Sequence, residues 1–353
     1  MIFERLLKKP LLSMVAITAA SFFAQKSLAE SNVVSIPFAM NSWIGYAPIF
    51  VASYKGYFGK YRLKYIHMDT GINAALLSGD VSIADLSMNQ VISDNHKGQH
   101  IQIFMPIDYS NGADAIVATD KIKSVTDLRG LRIPLNTDSY SELLLSYALT
   151  KNKLNIKDVK MVDLSASDIP SVLFSKTAYA GVTWSPHVQV VTSHPGYHIL
   201  YSSKQAPGLI SDSMCATHTW ITSHPGAAKA IITGVLEGES YMKSHPEKSF
   251  KIIGKTLGIS ATSAKEQYSG VINPNIGGMY DMMEGITNND VLPYDKSIIM
   301  VSSLMKETGK LSQNSNISPD RILYRQYVKT INNKLALRKA RVDEKLTYKE
   351  SNG

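Results

Sequence analysis

Cysteine is almost absent. Cys215 stands alone in 353 residues, so an internal disulfide, a Cys-x-x-Cys redox pair and a cysteine-based metal centre are excluded. No internal run approaches the roughly 18 uninterrupted apolar residues of a membrane helix. Nucleophile-elbow, HExxH and P-loop patterns are missing, which removes common signatures of hydrolase, zinc-protease and nucleotide chemistry. The body of the chain also lacks an excess of either charge. Of the formal +8, residues 1–29 contribute four Lys/Arg against one Glu, and residues 334–353 contribute six Lys/Arg against three Asp/Glu. Only +2 remains for 30–333, so no nucleic-acid footprint is expected. No motif calls for a cofactor or a metal.

What is present is a globular composition, with 44% hydrophobic and 19% charged residues in a chain long enough for two lobes. Arg5, Lys8 and Lys9 precede an apolar stretch from Leu11 to Ala24, and Ser27-Leu28-Ala29 follows with small residues at the cleavage positions. That order predicts a signal peptide over 1–29, cut before Glu30, and a periplasmic mature chain. An uncleaved membrane anchor is the competing reading, and the apolar run is short for one. The charged tail 331–353 reads as a solvated helix or frayed end.

Short apolar runs then alternate with amphipathic segments. Strands are expected at Val33–Ala39, Leu63–Met68, Ile83–Leu86 and Ile101–Ile107, with helices at Ala47–Lys55, Ile72–Ser78 and Gln90–Lys97. Strands at Ala115–Ala118, Leu131–Pro134, Val159–Val162, Ala180–Thr183 and Tyr197–Tyr201 repeat the style, with a helix over Ser139–Lys151 that Ser139 and Glu142 would cap as a box. Beyond the strand Met214–Thr217 the chain turns mainly helical. Such order predicts α/β architecture with mostly parallel sheets and a ligand site in loops beyond the strands' carboxyl ends. Three Ser-His-Pro triplets, starting at Ser193, Ser223 and Ser244, read as serine caps with proline in the first helical turn rather than as metal or catalytic sites.

Four segments carry a family resemblance: Trp43 to Phe58, Gly79 to Asp85, Asp108 to Gly130, and Val182-Thr-Trp-Ser-Pro186. They are similar, in order, to motifs of the nitrate/sulfonate/taurine and thiamine-precursor (NMT1/THI5-like) solute-binding proteins. The resemblance implies a two-lobed, type II periplasmic-binding-protein fold, each lobe a mostly parallel sheet flanked by helices. Lobe I would hold 30–112 and 215–330, lobe II 113–214, with two crossing strands as the hinge. It also implies no enzymatic activity, a small-molecule ligand, a monomer, and an ABC permease with its ATPase as partners. Ser185 departs from relatives that carry an acid between Trp and Pro, which bears on the ligand more than the fold. The enzymatic alternative, a thiamine-pyrimidine synthase, needs a cysteine-rich motif; a sensory partner is the other alternative.

By this analogy the ligand-binding candidates are Trp43, Tyr46, Ser87, Asn89, Asp108, Ser110, Thr137, Ser139, Tyr140 and Trp184. Each has a structural reading too, Asn89 and Ser139 as helix caps, Trp43 and Trp184 as core or rim aromatics. The loops that would line the cleft contain no Lys or Arg but include Asp85, Asp108, Asp114, Asp138, Glu142 and Asp212. A cleft built from them is negative, favouring a nitrogen-bearing ligand, pyrimidine-like or taurine/sulfonate-like, over a bare anion, while helix N-termini leave a sulfonate open because they bind anions without side-chain charge.

Overall fold

The computed structural model describes residues 33–337, except 69, 138 and 288–290. The expected signal segment, its cut before Glu30 and the tail beyond 337 lie outside the described residues.

The first half of the chain alternates as its apolar pattern predicts. Strand β1 (Val34–Met40) leads through Trp43 into α1 (Ala47–Lys55), which Gly56 ends at φ 73°, a conformation only glycine adopts without strain. Then come β2 (Tyr61–His67), α2 (Ile72–Ser78), β3 (Ile83–Leu86), α3 (Met88–His96) and β4 (Ile101–Ser110). The chain crosses into a second unit with β5 (Asp114–Thr119), β6 (Arg132–Leu135), α4 (Tyr140–Lys151), β7 (Lys160–Asp163), α5 (Ile169–Phe174), β8 (Ala180–Trp184), α6 (His187–Thr192) and β9 (Tyr197–Ser202). It returns along β10 (Ser211–Thr217). The remainder is α7 (His218–Ser223), α8 (Pro225–Ser244), α9 (Pro246–Leu257), α10 (Ala261–Tyr268), the short β11 (Val271–Ile272), α11 (Ile276–Glu284), α12 (Tyr294–Glu307) and α13 (Pro319–Ile322), with residues 326–337 helical.

The first lobe is a six-stranded sheet in the order β11-β4-β10-β3-β1-β2. Alternate residues of β1 feed opposite cores: Ile36, Phe38 and Met40 pack with α1 and α8, while Ala39 faces the core of α3 and α12, the period of two that a sheet covered on both faces requires. In the second lobe β5 does the same, with Ile116 and Ala118 on one side and Ala115 and Val117 on the other.

Several expectations are corrected. The sheets are mixed, not mostly parallel. β1 pairs β2 and β3 in parallel and β6 pairs β7 in parallel, but β10 runs antiparallel to β3 and β4, and β5 antiparallel to β8 and β9. The chain leaves the first lobe on β4 and returns on β10, and two strands crossing in opposite directions can only pair antiparallel. Both crossing strands also extend beyond their apolar runs, to Ser110 and back to Ser211, because their polar ends are buried against other polar groups. No helix directly follows the first Ser-His-Pro triplet, and in the other two the serine does not cap the helix that follows. These two serines donate back, Ser223 Oγ to Thr219 O at 2.6 Å and Ser244 Oγ to Ser240 O at 3.0 Å. The histidines occupy the N-cap position instead and stack on the aromatic four residues earlier, His224 on Trp220 and His245 on Tyr241. Proline at the first helical position holds for α8 and α9. Finally, Ser139 caps α4 by accepting from Ser141 N at 3.1 Å, but Glu142 does not complete a box; it pairs with Lys310 at 2.6 Å.

Candidate functional site

The polar ends of β4 and β10, the C-terminal end of β3 and the start of β5 converge between the lobes. Each brings one aspartate: Asp108, Asp212, Asp85 and Asp114, none more than 5% exposed. Asp212 lies within hydrogen-bonding reach of both Asp85 and Asp108. Tyr46, fully buried on the loop after β1, donates to Asp85 Oδ2 at 2.6 Å, and Ser213 N donates to Asp85 Oδ1 at 3.2 Å. Trp43 Nε1 donates to both oxygens of Asp108 at 3.3 Å. Among the described residues no Lys, Arg or His forms an ion pair with these four carboxyls.

Burial without a counter-charge decides their chemistry. Taking a carboxylate out of water favours its protonated form. Burial pushes Asp85 up to about 6, against which the Tyr46, Asp212 and Ser213 hydrogen bonds work. Burial pushes Asp114 up to about 6 as well, with Ser110 partly offsetting it. Asp108 is raised well above the usual carboxylate range by burial, despite the Trp43 indole, and Asp212 by burial and then by its three acidic neighbours.

A second layer fixes the nest. Ser211 Oγ donates to Asp108 O at 2.7 Å, and Tyr294 on α12 shares hydrogen bonds with Ser211 Oγ and Ser213 Oγ, each at 2.8 Å. Tyr140, on the second lobe, donates to Ser211 O at 2.6 Å. Trp184 stands opposite Asp114 in the β5–β8 ladder and packs on the first lobe's core.

The ten sequence candidates therefore divide. Trp43, Tyr46 and Asp108 form the nest itself, and Ser110, Tyr140 and Trp184 touch its edges. Ser110 Oγ also bonds Ser203 Oγ at 2.7 Å across the turn into the second lobe. Asn89 and Ser139 line a separate cavity of about 430 Å³ between α3, α4 and the end of α12, closed on one side by the Glu142–Lys310 pair. Ser87 caps α3 in a box with Gln90. Thr137 is drawn to Asp163, its hydroxyl donating at 2.8 Å, and is not part of the nest. Missed as individual site residues were Asp85, Asp114 and Asp212, whose signal was the clustering of acids in cation-free loops, and Ser211, Ser213 and Tyr294, for which the sequence carries no local signal.

Comparison with known proteins places this geometry in a family. The chain is 24% identical over 290 residues, covering 75% of itself and 89% of the relative, to a Brucella abortus (strain 2308) protein that carries the provisional name of a binding protein. Its fold is similar to that of the periplasmic aliphatic sulphonate binding protein SsuA of Escherichia coli, with a TM-score of 0.67, 16% identity, and coverage of 83% of this chain and 98% of that one. The desulfurization enzyme DszB shares the fold at a TM-score of 0.58 and 11% identity, over 85% of this chain and 99% of that one. Likeness at such identities fixes the two-lobed periplasmic-binding-protein fold and leaves ligand and chemistry to the site. The profile described as NMT1/THI5 like matches residues 43–249, well over half of the sequence, and the chain belongs to the NMT1/THI5-like family.

Proposed function

We propose that this chain is the periplasmic solute-binding component of an ABC importer, capturing a small nitrogen-bearing organic molecule between its lobes and presenting it to a permease driven by an ATPase. The mature chain would begin at Glu30 and act as a monomer. Residues 30–112 with 215–330 would close against 113–214 about the crossing strands β4 and β10.

The observation that carries the ligand class is the nest of four buried aspartates without a cationic side chain. A protonated amine, amidine or aminated ring supplies the missing charge, and buried charges are tolerated when paired and hydrogen-bonded. A bare sulfonate or nitrate would bring further negative charge to carboxyls whose ionisation burial already opposes. Trp43 and Trp184 offer flat apolar walls for a ring. Against catalysis stands the state of the one thiol: Cys215 is fully buried, donates to Ser213 O at 3.4 Å, and burial pushes its pKa well up, so it is a poor nucleophile.

Thermal-shift measurements on the mature protein test this reading, because a ligand that binds the native state raises its midpoint. Ethylamine, taurine, 4-aminopyrimidines and methanesulfonate form the panel. The aminated compounds are expected to stabilise and methanesulfonate is not. Stabilisation by methanesulfonate alone would overturn the ligand class.

A further inference from the structure

Asn273 follows the edge strand β11, and its side-chain amide makes three hydrogen bonds. Its Nδ2 donates to Gly45 O at 2.8 Å and to Ile107 O at 2.9 Å, while its Oδ1 accepts from Tyr268 OH at 2.7 Å. One amide therefore ties the loop that carries Trp43 to the strand that carries Asp108. The tie matters because the two approach closely. A Cβ added at Gly45 would lie 2.0 Å from Asp108 Oδ2 and 2.3 Å from Trp43 Nε1, so the backbone at Gly45 already rests on the carboxylate.

We infer that Asn273, oriented by the Tyr268 hydroxyl, is a positioning residue that holds the Trp43 indole against the Asp108 carboxylate. It touches neither group's reacting atoms and acts through the backbone carbonyls on either side of them. Loss of its amide leaves Gly45 O and Ile107 O without a common donor. The loop carrying Trp43 then loses its amide tie to β4, and nothing fixes the indole in register with the carboxylate. Asn273 and Tyr268 also line a cavity of about 560 Å³, so truncation there admits water rather than a compensating side chain. This inference rests on the nest being the binding site, but its test does not require a ligand.

The chain has three tryptophans, and Trp184→Phe with Trp220→Phe leaves Trp43 as the sole tryptophan, excited selectively over the tyrosines. Its fluorescence, followed against pH in the ligand-free mature protein, reports ionisation of the carboxylate beside it. Disappearance of the transition in Asp108→Asn identifies it against Asp85, Asp114, Asp212 and the Tyr268 and Glu239 side chains beyond. With Asn273→Ala the indole no longer sits on the carboxylate, and the transition is expected to move up by about one pH unit, the worth of one hydrogen bond to a charged group. Tyr268→Phe should move it the same way by less. Asn275→Ala, which removes the α11 cap at the rim of the same cavity, should lower stability and leave the midpoint in place. A folded Asn273→Ala protein titrating at the parental midpoint overturns the inference. If that variant does not fold, an unchanged midpoint in Tyr268→Phe overturns it. Failure of all the aminated compounds to bind the parent would sink the ligand reading and leave this readout standing.

Discussion

Replacing Asp114 by asparagine should stabilise the ligand-free protein, and only at high pH. Asp114 opens β5, is 4% exposed, and has its carboxyl pushed up to about 6 by burial. The folded state thus holds this proton more tightly than the unfolded chain, whose aspartates titrate near 3.9. The contribution to stability is complete below about pH 4 and is lost as pH rises through about 6. A shift of roughly two pH units corresponds to about 3 kcal/mol, lost in full by pH 8. Asparagine has nearly the same shape, keeps the backbone N–H that donates to Ser110 Oγ at 3.1 Å, and never ionises. Urea unfolding of mature Asp114→Asn should match the parent at about pH 3.5 and exceed it at pH 8.0, by up to about 3 kcal/mol. A gain equal at both pH values would mean that packing, not ionisation, separates the two. A variant no more stable than the parent at pH 8.0 would remove the premise that this acid is buried without a counter-charge.

Asp108→Asn should weaken binding of an aminated ligand about tenfold or more by calorimetry, since it removes a hydrogen bond to a charged group, and undiminished affinity would refute the cationic reading. Gly45→Ala should lower the thermal midpoint and abolish binding together, because its Cβ would fall 2.0 Å from Asp108 Oδ2; a folded, binding-competent variant would show that the loop can move. The Glu142–Lys310 pair joins the second lobe to the first. Glu142→Lys should therefore enlarge the ligand-bound particle in solution scattering, and adding Lys310→Glu should restore its size, a restoration that fails if the pair is incidental. N-terminal sequencing of periplasmic material should begin at Glu30, and a Met1 start would refute processing.

Much of the fold was legible because the core announces itself. The helices Ala47–Lys55 and Ile72–Ser78 and the strand Ile83–Leu86 lie where apolar runs and terminating glycines predict them. Sheet direction was not legible. The βα alternation predicts parallel neighbours, but it says nothing about a strand that leaves a lobe and another that returns to it. The Ser-His-Pro triplets show a different limit. Three residues read as a cap could not reveal that the histidine's true partner is an aromatic one helical turn back, as in Trp220–His224 and Tyr241–His245.

The two strands whose ends were misread are also the two that carry Asp108 and Asp212 into the candidate site. An apolar criterion ends β4 at Ile107 and starts β10 at Met214, since Asp108-Tyr-Ser110 and Ser211-Asp-Ser213 look like loop. They are strand, paired through Asp212↔Asp108 and Ser211↔Tyr109, because polar residues can enter a sheet when their side chains bury one another. That requires every group to find a partner, and the hydroxyls do so: Ser211 and Ser213 share Tyr294, and Ser110 takes Ser203. The carboxyls do so only in part, sharing donors from Trp43, Tyr46 and each other with no cation among them. A hydrophobic serine-free core at this crossing would be simpler and more stable. Retaining four acids at the point where both lobes meet makes sense for a binding site whose missing charge arrives with the ligand.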